Sequence, residues 1–133
     1  MQTCKALVAP LDPAAVLIQR SDVGENDDAA HKPADQTIFR RIIGSLMYLM
    51  IGTRPDIAVA VSTISQFAAD PSQQHFSAAK RVLRCIQGTT EMKLHSALMR
   101  GIQLTGYSNA NWGQDPNTRK STTGYVFFLY GSQ

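Results

Sequence analysis

Apolar residues recur through the middle of the chain at the spacing of a helix that buries one face. The first such run begins at Thr37, a residue type that often caps helices. Its apolar positions are Ile38, Ile42, Leu46 and Leu49, with Phe39, Ile43, Met47 and Met50 beside them. So wide an apolar face predicts that this first helix is well buried.

Two further helices follow. Gly52-Thr53 ends the first helix, and Pro55 fits the first turn of a second one, where its missing N–H costs nothing. Asp70-Pro71 repeats this arrangement, with Asp70 as the predicted N-cap of a third helix that Gly88 ends. The predicted inward positions are Ile57, Val61, Ile64 and Phe67 or Ala68 in the second helix, and Phe76, Ala79, Val82, Leu83 and Ile86 in the third.

Beyond Gly88 the apolar period falls from about 3.6 residues to about 2, which is typical of strands. Alternation from Met92 to Ser96, a turn at Arg100-Gly101 and a strand from Ile102 to Tyr107 predict a hairpin. The β-branched and aromatic run from Thr122 to Tyr130 predicts a further strand. A sheet with only these strands would have an unpaired edge and an uncovered face. We therefore expect that the sheet is incomplete.

The predicted fold class is therefore α+β, with a three-helix unit followed by an incomplete β-sheet. Residues 1–36 contain three prolines, an acidic cluster around Asp27 and no sustained apolar period, which is typical of a linker or tail. We accordingly expect three parts: a linker at 1–36, a helical region at 37–88 and truncated strands at 89–133.

The charge of the chain is distributed unevenly. The 133 residues carry a net charge of +3, and 44% of them are hydrophobic, which is enough for one modest core. The part before Thr37 contains three basic and six acidic residues, whereas the part from Thr37 onward contains ten basic and four acidic residues. The basic part suits a polyanionic partner, although such an excess is equally ordinary for a solvated surface. No membrane-spanning run or signal peptide is evident, so we expect an intracellular protein without a membrane partner.

Several residue types that often carry chemistry lack partners in the sequence. Cys4 and Cys85 have no metal-type spacing and are interpreted as buried or idle. His31, His75 and His95 each stand alone, which favours surface or packing roles. No glycine-rich phosphate-binding loop occurs. The sequence therefore predicts no complete catalytic site.

The third helix carries a basic cluster formed by Lys80, Arg81 and Arg84. Lys80 and Arg84 share one helix face because they are four residues apart, and Arg81 flanks them. One interpretation is a surface that contacts the nucleic-acid backbone. The other is the solvated side of an amphipathic helix. The residues alone leave both open.

The polar segment after the predicted strand at Tyr107 contains Asn109 and Asn111. Carboxylates at such a place would bind Mg²⁺, which prefers charged oxygen ligands. Asparagine supplies only a neutral carbonyl oxygen. The nearby Asp115 is interpreted as a solvated turn residue.

Five sequence blocks, in this order, resemble the C-terminal part of the reverse transcriptase and the start of ribonuclease H in copia-type retrotransposon polyproteins. The similarity covers nearly the whole chain, and Pro10-Leu11-Asp12-Pro13 is similar to the segment after the polymerase palm. The blocks are Phe39 to Leu49, Thr53 to Ile57, His75 to Arg84, Gly106-Tyr107-Ser108, and Arg119 to Phe127.

The resemblance implies a place within a larger enzyme. The palm and its Mg²⁺ site would precede Met1, and the three helices would form the thumb or connection region that holds a primer-template duplex or RNA–DNA hybrid. Lys80, Arg81 and Arg84 would then contact phosphates, and the rest of the polyprotein would be a partner.

The chain departs from the family at the first metal-binding carboxylates of ribonuclease H. Asn109 and Asn111 replace two aspartates, and Gln114 stands where the family has glycine. We therefore expect a non-catalytic fragment with no cofactor of its own. The alternative is a domesticated, non-enzymatic module that binds nucleic acid or another partner.

Overall fold

The computed structural model describes residues 7, 9–12, 15–19, 32–93, 104–110, 119–121 and 123–129. Three helices precede two strands: α1 (Gln36–Gly52), α2 (Ala58–Ser65), α3 (Gln73–Gly88), β1 (Leu104–Ala110) and β2 (Thr123–Leu129). A short 3₁₀ helix, Pro55–Ile57, leads into α2. This order confirms the predicted α+β class with an incomplete sheet. In the described part of the chain, no helix is long and apolar enough to cross a membrane.

The chain divides into two compact units, Met1–Met92 and Lys93–Gln133. The first unit has one core that all three helices share, and its largest fully buried apolar side chains are Phe39, Leu46, Ile57, Ile64, Val61 and Val82. The described part of residues 1–36 adds to it, because Leu17 is buried and Leu11 packs against the cluster. The predicted boundaries at residues 36 and 88 stay a prediction.

Helix α1 buries a narrower face than the sequence predicts. Phe39, Ile43 and Leu46 are buried, whereas Ile38 and Met47 are 46% and 43% exposed. The prediction of a well-buried helix is therefore wrong for one side of α1. One row of apolar side chains on α1 is enough to pack against the other helices, and the side that carries Ile38 and Met47 is exposed.

Two of the predicted helix caps are also wrong. The N-cap of α1 is Asp35, whose Oδ1 accepts a hydrogen bond from the Ile38 N–H at 2.9 Å. The N-cap of α3 is Ser72 rather than Asp70. Aspartate, serine and threonine are all good caps, so the choice among neighbours depends on where the core fixes the first turn.

A buried arginine connects the start of the 3₁₀ helix to the end of α3. Arg54 is 8% exposed, and its Nε and Nη2 donate to the two carboxylate oxygens of Asp56 at 2.9 and 2.8 Å. Its Nη1 donates to the Thr89 carbonyl oxygen at 3.2 Å, and its Nη2 donates to Thr89 Oγ1 at 2.7 Å. The guanidinium thus satisfies groups just past the C-terminus of α3, where backbone acceptors lack helical partners.

The second unit contains an antiparallel pair, in which Leu104 faces Leu129 and Ala110 faces Thr123. The Phe127 ring lies against Gly106 of the opposite strand, in space that a Cβ at Gly106 would fill. Most of the described apolar side chains of this second unit are exposed, among them Tyr107, Tyr125 and Phe127. A lone two-stranded ribbon is of marginal stability. The predicted strand from Met92 to Ser96 lies largely outside the described residues.

Candidate nucleic-acid interface

Helix α3 presents its basic cluster on the side opposite the core. Its buried residues are His75, Ala79, Val82 and Cys85. Because successive helical residues are about 100° apart, Lys80 and Arg84 lie across the helix from this stripe, and Arg81 lies to one side. The predicted shared face of Lys80 and Arg84 is therefore present.

Lys80 is exposed, and its Nζ lies 4.6 Å from the centroid of the Phe76 ring. Phe76 in turn packs beside Phe39 of α1, with ring centroids 6.4 Å apart. The ring attracts the ammonium group and so limits the directions in which this long side chain extends. The charge therefore remains at the surface, near the Phe76 ring.

Arg81 has a different environment. Its Nη1 lies 3.7 Å from Oδ2 of Asp12, and the two side chains are 27% and 49% exposed. An opposite charge at this distance offsets part of the field of the guanidinium. The three basic residues of α3 are thus not equivalent as phosphate contacts.

Arg84 is half-buried. Its Nε–H is buried without a hydrogen-bond acceptor among the residues that the structure describes. A buried donor of this kind is normally satisfied by water or by an oxygen that a ligand supplies. By its helical position Arg84 lies on the same side of α3 as Lys80.

Helix α1 contributes a basic and aromatic surface that the sequence analysis did not single out. A groove of about 620 Å³ is lined by Arg41, Gly44, Ser45, Tyr48 and Leu49. Tyr48 is 82% exposed, and a Cβ at Gly44 would meet nothing within 4 Å. A glycine inside a helix lowers its stability, and here no packing within the described chain requires it. The surface therefore lets a partner approach the helix backbone closely.

A second groove joins α1 to α3. It has a volume of about 310 Å³ and is lined by Ile38, Arg41, Ile42, Ser45 and Leu83. Arg41 borders both grooves, whereas Arg40 is directed elsewhere, because its Nε donates to the Ala68 carbonyl oxygen at 2.9 Å. The paired arginines beside an exposed tyrosine are the sequence signal that could have indicated this surface.

The predicted metal-ligand positions do not fit Mg²⁺. Asn109 is exposed on β1, opposite Gly124, and offers a neutral amide oxygen. Asn111 lies outside the described residues. Within the described part, no three His, Cys, Asp or Glu side chains cluster closely enough to hold a metal ion.

The comparisons with known proteins give the family. No family model and no solved structure matches the chain. It is 48% identical over 89 residues to the secreted RxLR effector protein 161 of Plasmopara viticola, covering 67% of this chain and 63% of that protein. It is 36% identical over 129 residues to the retrovirus-related Pol polyprotein from transposon RE1 of Arabidopsis thaliana, covering 97% of this chain and 8% of the polyprotein.

A third relative is an uncharacterized mitochondrial protein of Arabidopsis thaliana, 35% identical over 79 residues, covering 59% of this chain and 70% of that protein. The chain therefore belongs to the family that includes this mitochondrial protein and segments of retrovirus-related Pol polyproteins from transposons. The predicted resemblance is confirmed at this level. The chain spans less than two thirds of the effector and less than a tenth of the RE1 polyprotein.

Proposed function

We propose that this chain is a non-catalytic piece of a copia-type retrotransposon polyprotein, spanning the thumb or connection part of the reverse transcriptase and the start of ribonuclease H. Its helical unit binds the backbone of an RNA–DNA hybrid or primer-template duplex, alongside the rest of the polyprotein. It uses no cofactor of its own, and Mg²⁺ belongs to the complete enzyme.

The observation that carries this proposal is the placement of basic side chains on the outward face of α3 and on the part of α1 that a groove joins to α3. Lys80 and Arg84 lie on the outward face of α3, and Arg41 lies on α1 across a groove that Leu83 lines. Phosphate groups bind cations arranged in this way without regard to base sequence. Tyr48 adds an exposed aromatic ring of the kind that contacts sugars and bases.

The absence of catalysis is proposed from the chemistry of the residues at the start of the ribonuclease H-like segment. Two-metal nucleases need charged oxygen ligands to hold their ions near a phosphate. Asn109 and Asn111 supply only neutral oxygens at the two positions concerned. We expect the chain to bind a hybrid in Mg²⁺ without cleaving it.

Replacing both Lys80 and Arg84 with alanine should weaken binding of an RNA–DNA hybrid by about tenfold at low salt. The slope of log K against log salt should also fall by about 2, because two phosphate contacts are lost. Equilibrium titration of the full chain, monitored by fluorescence anisotropy of the hybrid, measures both quantities.

The matched control is the double replacement Lys32→Ala and Lys93→Ala, which removes the same charge from two exposed lysines that are not part of helix α3. Its affinity should stay within about twofold of the parent chain. Equal losses in the two double variants would mean that net charge, rather than the α3 face, governs binding.

A second candidate is a domesticated module that binds a partner without catalysis. Two relatives favour it, because the chain spans 63% of the effector and 70% of the mitochondrial protein, so sequences of this family also occur as short proteins. The two candidates differ in a simple observation. The protein of a domesticated gene accumulates in its cells, whereas a non-catalytic remnant of a transposon polyprotein does not.

A further inference from the structure

Described residues between positions 12 and 18 contact helix α3. Leu17 is buried in the shared core, and its neighbours Val16 and Ile18 accept hydrogen bonds through their carbonyl oxygens. Gln74 Nε2 donates to Val16 at 3.0 Å, and His75 Nε2 lies 3.0 Å from the oxygen of Ile18. Three consecutive residues thus fix this segment against the first turn of α3.

From this anchor the segment runs along α3 in the opposite direction. Ile18 contacts His75 near the start of the helix, and Asp12 contacts Arg81 nearly two turns later. Six helical residues correspond to a distance of about 9 Å along the axis. Leu11 packs against the core beside Asp12. The anchor therefore places a carboxylate at the edge of the basic face.

This ion pair is suited to competition with a phosphate. Both side chains are partly exposed, at 27% for Arg81 and 49% for Asp12, and the closest approach is 3.7 Å. Exposed pairs with such geometry are weak and are screened by salt. By contrast, the described residues place no carboxylate in ion-pair contact with Lys80 or Arg84. The segment thus offsets one of the three cations and leaves two.

We propose that Asp12 acts as an internal competitor for Arg81 and so weakens binding of nucleic acid at α3. This inference rests on the function proposed above, because it concerns regulation of the same surface. A duplex that engages Arg81 must displace Asp12, and until then the carboxylate repels nearby phosphates. Removing its charge releases Arg81 as a further phosphate contact.

The test compares Asp12→Asn with the parent full chain in titrations with an RNA–DNA hybrid. Asp12→Asn should tighten binding about threefold, which is the scale of an exposed ion pair. The slope of log K against log salt should also become steeper by about 0.9, which corresponds to one additional phosphate contact. The same substitution should have no effect in an Arg81→Ala background, and Asp12→Glu should bind like the parent.

Glu91→Gln is the matched control, because it removes one exposed carboxylate located ten residues beyond Arg81. Equal tightening by Glu91→Gln, or tightening by Asp12→Asn that persists without Arg81, would overturn the proposal. If the parent binds and depends on Lys80 and Arg84 but Asp12→Asn changes nothing, this inference alone fails. If neither the parent nor Asp12→Asn binds the hybrid, the proposed function fails with it. Circular dichroism spectra of all variants should match.

Discussion

Replacing Arg54 with alanine should lower the free energy of unfolding of the helical unit by about 3 kcal/mol. The substitution removes four hydrogen bonds and leaves Thr89 Oγ1 without its donor, while the Thr89 carbonyl oxygen keeps the hydrogen bond from the Met92 N–H. The loss stays at the lower end of the range for a fully buried pair, because the Asp56 side chain is 43% exposed and can rehydrate. Urea unfolding of the full chain, followed by far-ultraviolet circular dichroism, measures the change.

Arg54→Lys serves as the comparison for this prediction. Lysine keeps the positive charge but cannot form the paired bonds to Asp56 and also reach Thr89, so it should recover only part of the stability. A variant Arg54→Ala that unfolds at the same urea concentration as the parent would show that this network does not stabilise the fold.

The same network gives a pH dependence. Hydrogen bonds from the Arg54 guanidinium hold the pKa of Asp56 below its ordinary value, and the carboxylate raises the pKa of Arg54. The folded-state pKa of Asp56 is the lower one, so its contribution is complete above the unfolded pKa of about 4 and is lost as the pH falls through the folded value. The stability difference between the parent and Asp56→Asn should therefore narrow below about pH 4.

Replacing His75 with alanine should cost about 3 kcal/mol of unfolding free energy. The ring is fully buried and stacks on Phe67, with centroids 3.9 Å apart. Its Nδ1 accepts from the Ser72 N–H at 3.0 Å, so Nε2 carries the proton and donates to Ile18. Alanine would leave a cavity and two unpaired backbone groups. Thermal or urea unfolding of the full chain measures the effect.

His75→Gln tests separately how much the hydrogen bond to the Ser72 N–H contributes to stability. Glutamine at the third helical position can reach back to the Ser72 N–H, so this variant should be more stable than His75→Ala. Ser77→Ala, at an exposed position of the same helix, should change stability by less than about 0.5 kcal/mol. Similar losses for Ser77→Ala and His75→Ala would contradict a specific role of the buried ring.

The helices were predictable because their apolar period is strong. The inward positions Ile57, Val61 and Ile64 of the α2 region are buried as expected, and Gly88 is the last residue of α3. Cys85 is buried, as one of its two interpretations predicted. Local pattern suffices for these features, because one face of each helix must exclude water.

The role of the first segment could not be predicted from its sequence. Its prolines and acidic residues are typical of a linker, yet Leu17 belongs to the core and Asp12 contacts Arg81. The contact of Asp12 with Arg81 connects residues 69 positions apart, and no local period marks either feature. His75 is a similar case, because only the tertiary fold brings Ile18 and Phe67 to its ring.

The candidate interface was predictable in part. Spacing alone placed Lys80 and Arg84 on one face of α3. It could not show that Asp12 offsets Arg81, or that Arg41 and Tyr48 form the neighbouring surface of α1. Which of several surface cations share one side depends on how the helices pack, and this information is not local.

The most direct test of the central proposal is the salt dependence of binding between the full chain and an RNA–DNA hybrid. With phosphate contacts from Lys80, Arg84 and Arg41, affinity should fall by about fortyfold between about 50 and 200 mM salt. It should also be nearly the same for two hybrids of unrelated sequence. No measurable binding at the lower salt concentration, or an affinity that salt leaves unchanged, would contradict a duplex-binding function.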